Sequence, residues 1–501
     1  MGFGSRELEL TETELNLTLK GEKYMSWYEN VEPNSVLKFF DEISKIPRGS
    51  GNTRKISDYL VSFATERTLE YIRDEYNNVI IKKYASAGME NHAPVIIQGH
   101  TDMVCEKDSG CTKDMSSEGL DLVLDGDTLY AKGTTLGADD GIAIAMMLAI
   151  LDSDEIAHPP IEAVMTVDEE TGMTGATMLD VSQLKGTRMI NIDSEDEGIF
   201  TVGCAGGNVT TCSVDLKRTK KHGKCFKIEV SGLTGGHSGC EINRGRANAN
   251  KILGRVLYDM SRCTPIAVSC VSGGGKDNAI AVYSCAVICA DDEDEVRKSL
   301  GEMSEKIKSE FFDTDPNMKI EICDSDCAFA YDDASTEKII YMLMSLPNGI
   351  FSMSRKVEGL VQTSLNMGIV NIENDTMKVS FCIRSSVESE KQQLCAVLEC
   401  MMKSAGGRIE IFGDYPGWDY RPQSELRNIM TEVFEKQYGR KPKTEAIHAG
   451  LECGIIAHKK AGLDCVSIGP DITDIHTPRE KLHISSLQRT WRFLLGVLER
   501  L

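Results

Sequence analysis

Apolar residues follow a helical spacing near the start of the chain and shorter, strand-like runs further along. The segment 36–46 repeats apolar positions every three to four residues, and Ala138 to Leu151 is apolar on most faces, so both predict helices. Short apolar runs predict strands between and beyond them. These runs are 94–98, 162–167, 189–192 and 464–468. Strands that alternate with helices predict an α/β sheet with helices on both faces.

The pattern changes after Gly206 and Gly207. Residues 225–230 alternate apolar and polar side chains, as in a strand with one face in water. We therefore predict an α+β module of roughly 200 residues, a usual size for a domain, inserted into an α/β domain that both ends of the chain build. Further strands are predicted at 279–285, 367–371 and 377–383, and helices at 244–260, 291–311, 336–345, 388–404, 426–438 and 485–498.

Composition narrows the classes of partner. The 501 residues include 55 Lys and Arg against 77 Asp and Glu, a formal net charge of −22. Such an acidic surface repels phosphate backbones and anionic lipids. We therefore expect neither nucleic acid nor a membrane as partner. The longest apolar run, 142–151, is too short to span a bilayer, and residues 1–32 lack the apolar core expected of a secretory signal. The 17 cysteines form no C-x-x-C pair, which favours reduced thiols in a cytoplasmic protein.

Side chains that bind metals follow four of the predicted strands, and a turn at 137–141 adds two aspartates. Sites in open α/β sheets form at the carboxyl ends of strands. Imidazole and carboxylate ligands suit zinc without any thiolate. Two ions can share one carboxylate and hold a water between them. The candidate ligands are Asp139 as the shared one, His100 and Asp193 for one ion, and Glu170 and His476 for the other.

Two further carboxylates suit supporting roles. Asp102 lies two residues after His100, where it can accept the free ring N–H of the imidazole and fix its tautomer. Because successive side chains diverge, one member of the pair Glu169 and Glu170 can bind a metal while the other stays free as a general base.

Seven motifs together resemble the aminoacyl-histidine dipeptidases, also called beta-alanyl-histidine or cytosol non-specific dipeptidases. These enzymes belong to the dinuclear-zinc metallopeptidases that include carnosinases, aminoacylases and glutamate carboxypeptidases. The resemblance runs from about Met25 to the C-terminus. The motifs are Gln98-Gly-His-Thr-Asp-Met-Val104, Lys132-Gly-Thr-Thr-Leu-Gly-Ala-Asp-Asp-Gly141, Glu169-Glu-Thr-Gly-Met173, Asn191-Ile-Asp-Ser-Glu195, Leu233-Thr-Gly-Gly-His-Ser-Gly239, His448-Ala-Gly-Leu-Glu-Cys-Gly454 and Ser467-Ile-Gly-Pro470.

The resemblance implies an architecture and a division of the chain. It implies a three-layer α/β/α catalytic domain of the zinc-exopeptidase type with an inserted α+β, ferredoxin-like lid domain. The expected boundaries are 1–24 as a disordered extension, 25–207 and 409–501 as the two parts of the catalytic domain, and 208–408 as the lid and dimerisation domain.

The resemblance also assigns roles. It makes His100, Asp139, Glu170, Asp193 and His476 the metal ligands, Asp102 the orienting carboxylate and Glu169 the general base. His237 would contact the substrate carbonyl, and in several relatives it comes from a partner subunit. Asn278 and Arg384 would hold the substrate, Arg384 through its carboxylate. His448 and Glu452 are placed near the substrate site. The chain departs from the family at Asp277 and Ala281, where relatives carry Arg and Pro, so their substrate preference does not transfer.

The implied activity is hydrolysis of unblocked dipeptides, Xaa-His among them, by a hydroxide that bridges two divalent metal ions. Zinc is expected, with manganese or cobalt as alternatives. A cytoplasmic homodimer with small peptide substrates is expected. Three alternatives stay open: an N-acyl-amino-acid deacylase or carboxypeptidase of the same family, a thiol enzyme that uses Cys453, and a non-catalytic metal-binding protein.

Overall fold

A computed structural model describes residues 26–501, so the prediction for residues 1–24 lies outside the described residues. The strands in chain order are β1 Glu70–Arg73, β2 Val79–Lys83, β3 Val95–His100, β4 Leu122–Asp125, β5 Thr128–Ala131, β6 Ile161–Thr166, β7 Arg188–Asn191, β8 Ile199–Cys204, β9 Gly206–Asp215, β10 Arg218–Thr219, β11 Lys224–Ser231, β12 Ala267–Gly273, β13 Ser284–Ala290, β14 Lys319–Ser325, β15 Ala330–Tyr331, β16 Gly349–Met353, β17 Val361–Glu373, β18 Thr376–Ser385, β19 Arg408–Tyr415, β20 Lys443–Ile447, β21 Asp464–Ser467, β22 Ile472–Thr473 and β23 Lys481–His483.

The helices lie between these strands, together with short 3₁₀ turns at Val181–Gln183 and Ile242–Arg244. In chain order the helices are α1 Asn34–Ser44, α2 Arg54–Glu66, α3 Ala138–Asp152, α4 Thr174–Met178, α5 Ala249–Cys263, α6 Glu293–Glu310, α7 Asp333–Ser345, α8 Glu388–Ser404, α9 Glu425–Tyr438, α10 Glu452–Lys459 and α11 Ile484–Leu498.

One sheet takes strands from both ends of the chain, in the order β1-β2-β6-β3-β7-β21-β8-β20. Strand β3 is parallel to β6 and β7, and β21 is parallel to β7. The carboxyl ends of these four strands therefore meet at one edge, and that edge positions the site described below.

Helices cover both faces of this sheet. Neighbouring residues on a strand enter different cores: Ile97 packs with α1, α2, α3, α9 and α11, whereas Ile96 packs with α4 and α10. Helix α3 is buried along almost its whole length, in agreement with its apolar sequence. The predicted three-layer α/β/α class is confirmed.

The middle of the chain builds a second sheet, in the order β14-β11-β13-β12-β17-β18-β9-β19, with β16 paired to β17. Its neighbours pair antiparallel. Phe226, Ile228 and Val230 of β11 enter the core formed with α5, α6, α7 and α8. The chain passes from the first sheet to the second between β8 and β9 and leaves it after β19. The domain boundaries themselves stay a prediction.

The strand predicted at 279–285 is wrong over most of its length, since β13 begins only at Ser284. Ile280 and Ala281 are buried, which explains the apolar pattern. Their backbone groups bond elsewhere: Ile280 N–H donates to Gly236 O at 2.9 Å, and Ala281 O accepts from Ala249 N at 2.8 Å. The segment therefore packs as a buried loop. Among the described residues, none of the helices has the length and apolar content needed to cross a bilayer.

Candidate metal centre

Asp139 lies at the start of α3, in a turn whose backbone is hydrogen-bonded to the side chains of Glu480 and Arg48. The turn needs Gly137, whose φ is +65°. Glu480 is 2% exposed, and its carboxylate accepts hydrogen bonds from four consecutive backbone N–H groups, those of residues 136 to 139. Arg48 donates to the carbonyl oxygens of Thr101 and Gly137. These contacts fix the direction of the Asp139 side chain.

The Asp139 carboxylate lies between two histidines. His100 Nε2 is 3.2 Å from Asp139 Oδ1, and His476 Nε2 is 3.0 Å from Asp139 Oδ2. His100 ends β3 and is buried, whereas His476 lies in the loop after β22 and is 46% exposed. The two oxygens of one carboxylate thus face two imidazoles from opposite ends of the sequence, as a ligand shared by two ions requires.

Asp193 and Glu170 complete the two groups. Asp193 Oδ1 lies 3.5 Å from His100 Nε2, and Glu170 Oε1 lies 3.0 Å from His476 Nε2. Within each group the ligand atoms lie within 4.8 Å of one another. All five predicted ligands are therefore brought together.

Asp102 connects the first histidine to the glutamate pair. Its Oδ1 lies 3.4 Å from His100 Nδ1 and accepts the backbone N–H of Glu169 at 3.1 Å. Its Oδ2 accepts hydrogen bonds from the Ser50 hydroxyl at 2.8 Å and from the backbone N–H of Glu170 at 3.3 Å. Asp102 thus faces the imidazole nitrogen that points away from Asp139.

The electrostatics of this cluster fit cations. Burial raises the pKa of Asp193 to about 6 and that of Glu195 to about 8, and the Asp139 carboxylate adds to both shifts. Burial likewise raises the pKa of Glu169 well above its ordinary value. Glu170 Oε1 is buried, and the described residues offer it no hydrogen-bond donor besides the His476 ring nitrogen at 3.0 Å. So many crowded, desolvated carboxylates are costly unless positive charge compensates them, and imidazole with carboxylate is a donor set that suits divalent ions.

A second layer of polar groups lies beneath the site. Glu452 is fully buried at the start of α10, where its Oε2 accepts hydrogen bonds from Gln98 and Thr166. Gln98 Oε1 accepts from Asn191 Nδ2 at 2.7 Å, which ties β3 to β7. Glu452 was predicted to lie near the substrate, and its carboxylate lies buried against Gln98 of β3 and Thr166 of β6.

The middle of the chain contributes His237 and Arg384, which lie together near the centre. Backbone N–H groups of Gly239 and Cys240 donate to His237 Nδ1 at 3.3 and 3.2 Å. Burial and the Arg384 guanidinium lower the pKa of His237. Arg384 is 7% exposed, its Nη1 donates to Tyr415 Oη at 3.3 Å, and its Nη2 lies 3.4 Å from His237 Nε2. Among the described residues, Arg384 Nε has no hydrogen-bond partner.

The other predicted substrate residues lie beside these two. His448 is buried, and its Nε2 lies 2.7 Å from Ser364 Oγ. Asn278 is exposed in the loop that pairs with the His237 segment, and its carbonyl oxygen accepts the Ser238 N–H at 2.9 Å. Among residues 26–501, the Asn278 side chain has no hydrogen-bond partner.

Cys453 does not have the surroundings of a nucleophile. It is fully buried, and burial raises the pKa of its thiol well above the usual value. Reactive cysteines carry a lowered pKa and are partly exposed. The alternative of a thiol enzyme at Cys453 is therefore not supported.

A family model for peptidases matches residues 96–500, which include every candidate ligand. The chain belongs to peptidase family M20/M25/M40. A cytosol non-specific dipeptidase of Escherichia coli strain K12 is 35% identical over 486 residues, covering 95% of this chain and 99% of that protein. The crystal structure of an aminoacylhistidine dipeptidase from Vibrio alginolyticus has a TM-score of 0.87 at 37% identity, covering 95% of this chain and 99% of that one. The resemblance seen in the motifs is thereby confirmed.

Solved structures at lower identity show a shared fold. An aminopeptidase PepT from Bacillus cereus has a TM-score of 0.55 at 16% identity, with 94% of this chain and 98% of that chain covered. Membership of this family supports a peptide hydrolase, and the dipeptidases among the relatives match over nearly their whole length.

Sequence reasoning missed Glu480, Arg48 and Glu195. Glu480 stands between Arg479 and Lys481, a charged run that is typical of an exposed loop. Arg48 follows a proline in a short polar stretch. Only Glu195 carried a signal, since it ends the same Asp193-Ser-Glu195 motif as a ligand.

Proposed function

We propose that this protein hydrolyses unblocked dipeptides at a centre that holds two divalent metal ions. The observation that carries the proposal is the Asp139 carboxylate between His100 and His476, with Glu169 beside these ligands but outside the two sets assigned to the ions. A merely structural metal site has no use for such an additional glutamate. The close similarity to two proteins named as dipeptidases supports the same substrate class.

The ligand sets divide between two ions. His100, Asp193 and Asp139 would hold the first, and Glu170, His476 and Asp139 the second. When bound, two divalent ions lower the pKa of a water that they share and polarise a carbonyl oxygen. We expect zinc, which imidazole and carboxylate ligands suit, and manganese and cobalt are the alternatives.

Glu169 is proposed as the general base. Its carboxylate forms a third group of possible ligands with His100 and Glu170, apart from the two sets assigned to the ions. Its raised pKa suits a group that accepts a proton from the attacking water and then returns it to the departing amine. Asp102 would hold His100 in one tautomer, so that Nε2 faces the metal.

The substrate would be held by residues of the second sheet. Arg384 is buried, with an unpartnered Nε, and a planar guanidinium grips a carboxylate through two parallel hydrogen bonds. Since its Nδ1 accepts two backbone N–H groups, His237 would contact the carbonyl oxygen through Nε2 as negative charge develops there. Residues 208–408 would then act as a lid that excludes water when it closes.

We also propose a cytoplasmic homodimer. The acidic net charge and the cysteines without a C-x-x-C pair favour a reducing compartment, and the Escherichia coli relative is named for the cytosol. The dimer rests on the family resemblance.

The test is a substrate panel on metal-stripped protein with single metals added back. The panel contains unblocked dipeptides, including Xaa-His peptides, and the matching N-acetyl amino acids. The proposal predicts that zinc restores hydrolysis of free dipeptides and leaves the N-acetyl compounds intact. Preferential hydrolysis of N-acetyl amino acids would show a deacylase, and activity that survives metal removal would overturn the proposal.

A further inference from the structure

Three thiols converge at one side of the second sheet, far along the chain from one another. Cys225 Sγ lies 2.8 Å from Cys289 Sγ, and Cys327 Sγ lies 3.4 and 3.3 Å from these two. Cys225 and Cys289 face each other directly across the paired strands β11 and β13, and Cys327 follows β14. Their ligand atoms satisfy the mutual distances of a metal cluster.

Two of the three thiols are almost fully buried. Cys225 is 4% exposed and Cys289 is 2% exposed, while Cys327 is half-buried. They pack with Ala330 in a small cluster of their own, separate from the main core of this sheet. None of the three belongs to the metal centre proposed above, whose ligands lie on other elements.

We propose that Cys225, Cys289 and Cys327 form a binding site for a single monovalent copper ion. Thiolate ligands select soft cations such as Cu(I). Structural zinc almost always takes four ligands, and among residues 26–501 this cluster offers only three His, Cys or carboxylate donors. A soft ion that accepts three sulfur ligands matches the number present.

The Lys221 ammonium lies near Cys225 and Cys327 and forms an ion pair with Asp326. Binding would replace three S–H bonds by three sulfur–metal bonds and release three protons to solvent. Three thiolates around one monovalent ion leave excess negative charge, which Lys221 offsets in part.

An entry path leads to the cluster. A surface cavity of about 370 Å³ includes Cys289 in its lining, together with Ala267 and Ala290. At a metal–sulfur distance of about 2.3 Å, three sulfurs around one ion stand about 4 Å apart. The thiols would therefore separate slightly on binding, which rotation about their Cα–Cβ bonds allows.

The experiment uses the full-length protein, reduced, free of oxygen and already saturated with zinc. Cu(I) is added in excess and then challenged with a colorimetric Cu(I) chelator, and the retained copper per chain is measured. The variants are Cys225→Ser, at the buried pair, and Cys327→Ser, at the half-buried position that is least able to disturb the core. Cys323→Ser is the matched control, because Cys323 is exposed on β14 and outside the cluster.

The wild type and Cys323→Ser are expected to retain one copper per chain. Both cluster variants should lose it, with affinity lower by about tenfold or more, because even a residue that only supports a ligand is worth 10–100-fold. Circular dichroism checks that each variant is folded. Equal copper retention by Cys327→Ser and Cys323→Ser would overturn the proposal. A Cys225–Cys289 disulfide that survives reduction of the unloaded protein, detected by mass spectrometry, would also overturn the proposal.

Discussion

The carboxylate of Glu480 accepts a hydrogen bond from the backbone N–H of Asp139 at 3.3 Å, although 341 residues separate the two along the chain. The same carboxylate accepts hydrogen bonds from the backbone N–H groups of residues 136 to 138. The first N–H groups of a helix have no carbonyl partner within that helix. One buried side chain thus serves as an external cap for α3 and fixes the residue that faces both histidines. Stability and metal binding are therefore coupled at Glu480.

Glu480→Gln is expected to weaken both properties. The amide NH₂ cannot accept a hydrogen bond, so at least one backbone N–H loses its partner, at a cost of about 1–3 kcal/mol in the free energy of unfolding. Because Asp139 loses its support, metal affinity should fall by about 10–100-fold. Urea unfolding and metal titration measure the two effects. Glu302→Gln, on the exposed face of α6, is the control, and equal behaviour of the two variants would contradict this role.

Glu169→Gln and Glu170→Gln should fail in different ways. Loss of a general base lowers kcat by about 10²–10⁴ while both metals stay bound. Loss of Glu170 removes a ligand, so metal content should fall together with activity. Atomic absorption on dialysed protein separates the two cases. A Glu169→Gln variant with near wild-type kcat would contradict the assignment of the base.

Arg384→Lys is expected to raise KM for dipeptides by about tenfold, since one of two parallel hydrogen bonds to the carboxylate is worth about 1.5 kcal/mol or more. The change in kcat should be smaller, because the carboxylate is bound alike in the ground state and the transition state. A dipeptide amide is the matched substrate, since it lacks that carboxylate. The substitution should leave the KM for the amide almost unchanged, and an equal loss on both substrates would argue for a structural role.

His448 should make the wild type sensitive to acid. Burial and the Arg384 charge lower its pKa to about 3 in the folded protein, against an ordinary value of 6.5. Between these values the unfolded chain binds more protons than the folded one, so the free energy of unfolding falls as pH drops from 6.5 toward 3. Above pH 6.5 this contribution is fully present.

His448→Gln cannot gain that proton, so its stability should fall less than that of the wild type between pH 7 and pH 5. Urea unfolding at both pH values, under one metal condition, measures the difference. His92→Gln, at an exposed position, should keep the wild-type dependence. A parallel decline in His448→Gln and the wild type would contradict the lowered pKa.

Much of the first sheet and its ligands could be predicted because each signal is local. His100 and Asp193 follow runs of apolar residues whose strands are now β3 and β7, and the parallel order of those strands brings the two side chains to one edge. The helix at Ala138 was predictable for the same reason, since its apolar residues are contiguous.

The supports of the site were not predictable, because they depend on contacts between distant segments. Glu480 is buried against the turn that it caps, whereas the charged residues on either side of it in the sequence suggest an exposed position. The apolar residues at 280–281 are buried in a loop, so hydrophobicity alone predicted a strand. The thiols of Cys225, Cys289 and Cys327 lie together partly because of the register in which β11 pairs with β13. No spacing in the sequence reveals that register.

Anomalous diffraction from crystals of the zinc-loaded protein tests the shared carboxylate most directly. Two peaks are predicted, one on each side of the Asp139 carboxylate: the first next to His100 and Asp193, the second next to Glu170 and His476. A single peak, peaks that do not touch Asp139, or an Asp139 side chain turned away from both histidines would contradict the account.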